Sequence, residues 1–426
     1  MSKHILRDLS ELTAAGIITE ETSGKIKVYY EQKNQQSPNR LVIIFGIFGA
    51  LLTGLGIILI IAHNWDDLLK GTKLFYSLLP LLMGQLICAY TLIKKADSRL
   101  WREAGSVFLL FAISASISMV SQVYNIAGDL SGFLFVWMLL SIPLIYIMQS
   151  AMTSLLVICG ITWYATSLSY FDYPSEIAWP YWLMLGAVIP FFLRLMKGQR
   201  GNFYHFHRWF LALSVIITLG MFNSSDNELM FVAYMSLFSL FVLIGETRPF
   251  AEGKILNNAF LVAGSLGSTI LLLTFTFEWI WTDIRRDHFV ADEAFLISSS
   301  VSLLACIFLF YEILKNKSIT AINANAYIFL IFILLFMLGR TQPQVAQWLT
   351  NVLVLAIALT TTWRGAERDN LLLLNYGLLI MTVLILCRFF DTDLSFVVRG
   401  ILFMVVGLSF FGANYWLLKK RKLQNV

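Results

Sequence analysis

Charge is what this chain has least of. Of its 426 residues only 13% are Asp, Glu, Lys or Arg, against 58% hydrophobic, and the mean hydropathy is +0.73. A soluble domain with so few charges has no means of covering its surface, so a water-soluble fold is excluded. The alternation of barrel strands is also missing. Apolar runs of about 20 residues are continuous, which selects helices crossing a ~30 Å hydrocarbon core. No phosphate-cradling glycine loop, nucleophile elbow or metal-ligand spacing occurs, so no catalytic residue, cofactor or metal is assigned and the chain reads as a non-enzyme. No chain of intramembrane carboxylates appears, so a proton-driven pump is not indicated. The four cysteines, Cys88, Cys159, Cys306 and Cys387, fall far apart inside apolar runs and read as small buried hydrophobes. No cleavable signal peptide is visible, because the first 40 residues are polar. Nothing suggests nucleic acid as a partner; the bilayer is the expected one.

What is there divides into three stretches. Residues 1–40 predict a cytoplasmic helical hairpin, with Leu6, Leu9 and Leu12 on one helix and a turn at Gly16-Ile17-Ile18. Thr19 caps a second helix carrying Ile26, Tyr29 and Tyr30. Too small to own a core, it is expected to pack on the membrane domain, on its own copy or on a protein partner. Residues 41–150 predict the first four transmembrane helices, and 151–426 the remaining ten. The fold class is thus an all-α polytopic bundle of about 14 spans. These run 41–62, 72–93, 103–121, 132–149, 151–169, 177–196, 208–222, 229–245, 255–279, 293–314, 322–339, 346–363, 370–388 and 395–418. Pro80, Pro143 and Pro190 are expected to kink their spans. Gly46, Ala50 and Gly54 give the first a small-residue face, and Gln85, Asn351, Asn375 and Asn414 are expected to act as polar glue between helices.

Charge counting sets an expected orientation. With the N-terminus inside, the inner segments hold 24 Lys and Arg and the outer loops six. Both termini are therefore expected in the cytoplasm. The outer loops carry 14 carboxylates against those six cations, leaving that face eight charges negative. His205 and His207, beside Arg208, fall on the inner side and read as lipid-headgroup contacts.

Two polar stretches end inside-to-outside spans. Ala62-His63-Asn64-Trp65-Asp66-Asp67 follows the first apolar run, and Gln122-Val123-Tyr124-Asn125-Ile126-Ala127-Gly128-Asp129 follows the third. The short loops keep their helices adjacent, so His63, Asn64, Trp65 and Asp66 are expected to meet Gln122, Tyr124 and Asp129 at one outer mouth. That juxtaposition is the candidate ligand site. The competing reading is interfacial aromatics at Trp65 and Tyr124, with helix caps at Asn64 and Asp129. A second candidate is an intramembrane charge cluster. Arg399, within the last span, is expected to reach Asp391 or Asp393, with Arg388 beside them. Trp101-Arg102-Glu103-Ala104 before Asp129-Leu130-Ser131 is echoed by Trp363-Arg364-Gly365-Ala366 before Asp393-Leu394-Ser395, which raises an internal repeat.

The run from Gly49-Ala50-Leu51-Leu52 through Ala62-His63-Asn64-Trp65, then Trp101-Arg102-Glu103-Ala104, then Gln122 to Asp129, resembles the bacterial predicted membrane protein family with domain of unknown function 2157 (DUF2157), over roughly residues 5–150. The resemblance implies a multi-pass protein of the bacterial inner membrane and carries no activity, substrate or catalytic residue. Span number and the lack of a soluble catalytic domain favour a transporter, channel or flippase for a small solute or lipid-linked molecule. The alternatives are a non-catalytic assembly, sensing or scaffold protein and, less favoured, a membrane enzyme acting on lipid or glycan.

Overall fold

Inside a bilayer every backbone N–H and C=O must find a partner within its own segment, and the described residues meet that demand with helices. The structure, a computed structural model, describes residues 15–35, 67–171, 176–197, 201–222, 228–248, 255–284, 293–316 and 323–391, with scattered positions at 9–13, 250–251 and 397–412. Among the described residues no strand occurs, and ten helices are long and apolar enough to cross a membrane. The chain divides into two units, residues 1–76 and 77–426.

In the first unit, α1 spans Glu20–Gln35. The Thr19 hydroxyl accepts from the Thr22 N–H at 3.3 Å, and Lys25 pairs with Glu21 one turn away. Gly16, at φ +69°, makes the turn before it, with its N–H on the Thr13 carbonyl. A turn and a helix thus stand where the sequence reading placed the turn and second helix of the hairpin, and of its first helix only Leu9, Leu12 and Thr13 are described. Ser37-Pro38-Asn39 and the span 41–62, with its Gly46, Ala50 and Gly54 face, lie outside the described residues.

The remaining helices follow in order: α2 Lys70–Lys94, α3 Arg99–Tyr124, α4 Leu130–Ile147, α5 Ala151–Thr166, α6 Trp179–Lys197, α7 Asn202–Leu219, α8 Leu229–Glu246, α9 Ala259–Thr274, α10 Glu278–Asp283, α11 Glu293–Asn316, α12 Ile328–Gly339, α13 Pro343–Glu367 and α14 Leu371–Asp391. A π-turn, Ser167–Phe171, continues α5, and a 3₁₀ turn, Gly220–Phe222, continues α7. Twelve of the 14 expected spans fall on these helices. The first lies outside the described residues, and 395–418 is described only at isolated helical positions.

Two apolar cores hold the second unit. Leu134, Ile145, Val157, Ile161, Tyr181 and Val188 centre one; Phe275, Trp281, Phe329, Phe332 and Phe336 centre the other. α8 contributes to both, and 72% of its span is buried, more than of any other span. Membrane helices gain little from apolar burial against each other, so hydroxyl bridges fix their contacts. Thr162 and Tyr181 both meet the Ser214 hydroxyl, at 2.6 and 2.7 Å. Ser236 meets Ser302 at 2.8 Å, and Thr269 meets Tyr376 at 2.7 Å. Asn351 does act as expected glue, donating to the Thr276 carbonyl at 3.1 Å.

Several boundaries and placements differ from the sequence reading. The span expected at 255–279 is broken after Thr274, because the fully buried Trp281 folds back to donate its indole N–H to the Phe275 carbonyl at 2.7 Å. The span expected to begin at residue 208 begins at Asn202. Cys88 is buried as expected, Cys306 and Cys387 are half-buried, Cys159 is exposed on its helix, and none of the four is in a disulfide.

Candidate functional site

α2 and α3 meet along a seam of small side chains. Ser77, Gly84, Cys88 and Thr91 share one buried face of α2. Ser116 donates to the Ser77 carbonyl at 2.7 Å, the Cys88 thiol meets the Gly105 carbonyl at 3.4 Å, and a Cβ on Gly84 would stand 3.1 Å from the Leu109 Cα. The register is antiparallel. α4 packs on α3 through the Trp137 indole, which donates to the Leu110 carbonyl at 2.8 Å. Between the three helices lies a cavity of about 1050 Å³, at the upper end of the ~300–1,000 Å³ typical of small-molecule sites.

Local rules build its mouth. Asn125, at φ +50°, ends α3 in the left-handed conformation that Asn tolerates. The Ile126 N–H returns to the Ser121 carbonyl at 2.9 Å, and the Ser121 hydroxyl donates to the Ile126 carbonyl at 3.0 Å. Asp129 then caps α4. Its Oδ2 accepts from the Gly132 N–H at 3.4 Å and from the Ser131 hydroxyl. The Ser131 hydroxyl, with backbone N–H groups after it, holds the exposed Asp129 carboxyl below its ordinary value of 3.8, so it is ionised at neutral pH.

The cavity is graded from this end downward. Ser118, Ser121, Gln122 and Asp129 surround the mouth; Leu81, Leu109, Ile113, Val136, Leu140 and Leu144 line the depth. From Asp129 to Leu144 is roughly 22 Å at ~1.5 Å per helical residue. Gln85 and Ser116 are the polar exceptions in the depth: the Ser116 hydroxyl is taken by the Ser77 carbonyl, and Gln85 lines the cavity beside the Leu109 level.

The opposite ends of these helices are locked by Trp101-Arg102-Glu103-Ala104. Glu103 sits on the N-terminus of α5, accepting from the N–H groups of Ala151 at 3.0 Å and Met152 at 2.9 Å and from the Ser150 hydroxyl. Arg102 donates to the Met148 carbonyl at 2.9 Å and to Gln149 Oε1 at 2.7 Å. Gln149, at φ +47°, makes the bare turn between α4 and α5, and Ser106 bonds Thr153 at 2.6 Å. The echo at 363–366 plays a different part. There Gly365 lets α14 approach, since a Cβ at that position would run into the Leu374 backbone nitrogen. Asp393, the far half of that echo, lies outside the described residues.

Of the residues named from sequence, Gln122 and Asp129 line the cavity, whereas Tyr124, the last residue of α3, is exposed and does not. His63, Asn64, Trp65 and Asp66, and hence the expected meeting of the two stretches, lie outside the described residues. So do Asp393 and Arg399; Asp391 ends α14. Arg388 lies in the last turn of α14, its guanidinium 3.4 Å from the Thr276 hydroxyl and over the Phe277 ring.

The headgroup reading of His207 beside Arg208 is corrected, while His205 is half-buried. His207 and Arg208 are fully buried. Arg208 donates to Asn258 Oδ1 at 2.7 Å and to the Phe250 carbonyl at 3.0 Å, and lies against the rings of Tyr204 and Phe250. Asn258 in turn donates to the Gly245 carbonyl at 2.7 Å and caps α9, so one guanidinium ties α7, α8 and α9. His207 Nδ1 pairs with the Phe203 carbonyl at 2.7 Å, and its ring stacks on Phe192. Sequence reading named Gln85 only as glue and missed Gly132, Phe133 and the α3 serines of the mouth.

Residues 10–154 match the family model described as predicted membrane protein (DUF2157), a stretch that contains the cavity and the lock beneath it. No curated protein and no solved structure matches the chain.

Proposed function

We propose that this protein binds an amphiphilic lipid or lipid-linked molecule in the cavity between α2, α3 and α4, as part of its transport or transbilayer handling. The observation that carries the reading is the polarity gradient. Polar groups gather at one end of a cavity roughly 22 Å long whose remaining wall, Gln85 and Ser116 apart, is apolar. That length exceeds one ~15 Å leaflet. A small polar solute would leave such a wall wet and unsatisfied, whereas an acyl or prenyl chain covers it, with its headgroup among Gln122, Ser121 and Asp129.

The reading includes an orientation in the bacterial inner membrane with both termini cytoplasmic and the mouth facing outward. Lys and Arg distribution supports it: with Arg208 removed from the inner count as a buried helix residue, 23 remain inside against six outside. It also treats residues 1–40 as a cytoplasmic handle, 41–150 as the ligand-binding part and 151–426 as the supporting bundle.

The test is native mass spectrometry of the full-length protein released from nanodiscs. Val136→Trp with Leu140→Trp fills the cavity from side chains that are partly exposed on α4, leaving the cores intact. Wild type is expected to retain lipid, and the double variant to lose it at an unchanged melting temperature. Equal lipid retention by both proteins overturns the proposal.

A further inference from the structure

We infer that the cavity selects lipids whose headgroup ends in an ammonium cation, seated on Asp129. This rests on the lipid-binding reading above and adds the class of headgroup. Asp129 is the one ionisable side chain of the described wall; the other polar side chains there are the Gln85 and Gln122 amides and serine hydroxyls, and no Lys, Arg or His takes part. An anionic headgroup at this mouth would meet a carboxylate with no compensating cation.

The carboxylate is set up to receive a donor. Both of its hydrogen bonds from Ser131 and Gly132 fall on Oδ2, so Oδ1 remains to accept from a ligand. Gly132 keeps that oxygen open, because a Cβ there would lie 2.8 Å from Oδ1. Asp129 is exposed at the mouth and ionised at neutral pH, for the reason given above. The outer loops, eight charges negative in the proposed orientation, bias the approach of cations to this end.

The experiment is a competition in mixed nanodiscs. Full-length protein is offered equal amounts of phosphatidylethanolamine and phosphatidylglycerol with identical acyl chains, and the retained lipid is read by native mass spectrometry. Wild type is expected to retain the ammonium lipid about tenfold over the anionic one, equivalent to ~1.4 kcal/mol. Asp129→Asn keeps a good helix cap while removing the charge. It is expected to bind both lipids equally with an unchanged melting temperature. Gly132→Ala keeps the charge but crowds Oδ1, and is expected to reduce the preference severalfold. Equal retention by wild type, or an undiminished preference in Asp129→Asn, overturns the ammonium inference while leaving the lipid-binding reading intact. Failure of wild type to retain either lipid overturns both. Displacement of the bound lipid's headgroup contact by free ethanolamine at matched concentration assigns the site to a soluble amine and overturns the lipid source.

Discussion

Arg208 shows most plainly how residue type and residue environment part company. Its partner Asn258 stands 50 positions further on, so nothing in the local string His205-Phe206-His207-Arg208 distinguishes a surface headgroup contact from a buried tie. Burial makes the guanidinium strongly consequential, since a hydrogen bond to a charged group contributes about 1.5–3 kcal/mol. Arg208→Leu is expected to lower the melting temperature markedly. Arg208→Lys is expected not to restore it, because a point ammonium lacks the flat guanidinium that lies against the Tyr204 and Phe250 rings while its Nη2 donates to both Asn258 and the Phe250 carbonyl. Thermal denaturation of the purified variants in one detergent measures both. By contrast Thr19 and Asp129 were legible as cap residues, because capping is local chemistry between a side chain and N–H groups two or three positions away.

Among elements, the long apolar helices follow directly from their composition, and the Gln149-Ser150 turn appeared where expected. The break after α9 did not, because it depends on Trp281 finding the Phe275 carbonyl and on α12 passing close to that indole, which are tertiary facts. The α13–α14 pair carries a similar hidden requirement. Gly365 brings α14 so near that any side chain collides with the Leu374 backbone. Overpacking of this kind costs about 1–3 kcal/mol. Gly365→Ala is expected to lower the melting temperature accordingly, while Gly24→Ala, where nothing stands within 4 Å, leaves it unchanged or higher. Parallel melts of the two variants check the contrast.

At the scale of the molecule, membrane character was readable from bulk composition, and the cavity was not. Short loops told which helices are neighbours, and two residues of its mouth were named. The void itself arises from how three helices tilt around small and large side chains, which no one-dimensional pattern encodes. The proposed orientation has a direct check. Ala127 and Asp97 are both exposed, in the turns at opposite ends of α3. In intact cells a membrane-impermeant maleimide is expected to label Ala127→Cys and to spare Asp97→Cys until the membrane is opened. Labelling of Asp97→Cys in sealed cells reverses the orientation.

The seat of Glu103 on α5 also has a consequence in time. α3 emerges from the ribosome some 50 residues before the Ala151 and Met152 amides that its carboxylate will hold. Until those amides arrive, Glu103 has Arg99 one turn before it, at 3.8 Å, and Arg102 has the Ala96 carbonyl, at 3.3 Å. Synthesis of residues 148–153 closes the circuit, and the stretch matching the family model ends one residue later, at 154. The matched segment therefore carries its own latch: a nascent chain that has released Thr153 from the ribosome holds every residue that fixes the base of α3 to the start of α5, whatever is appended behind it.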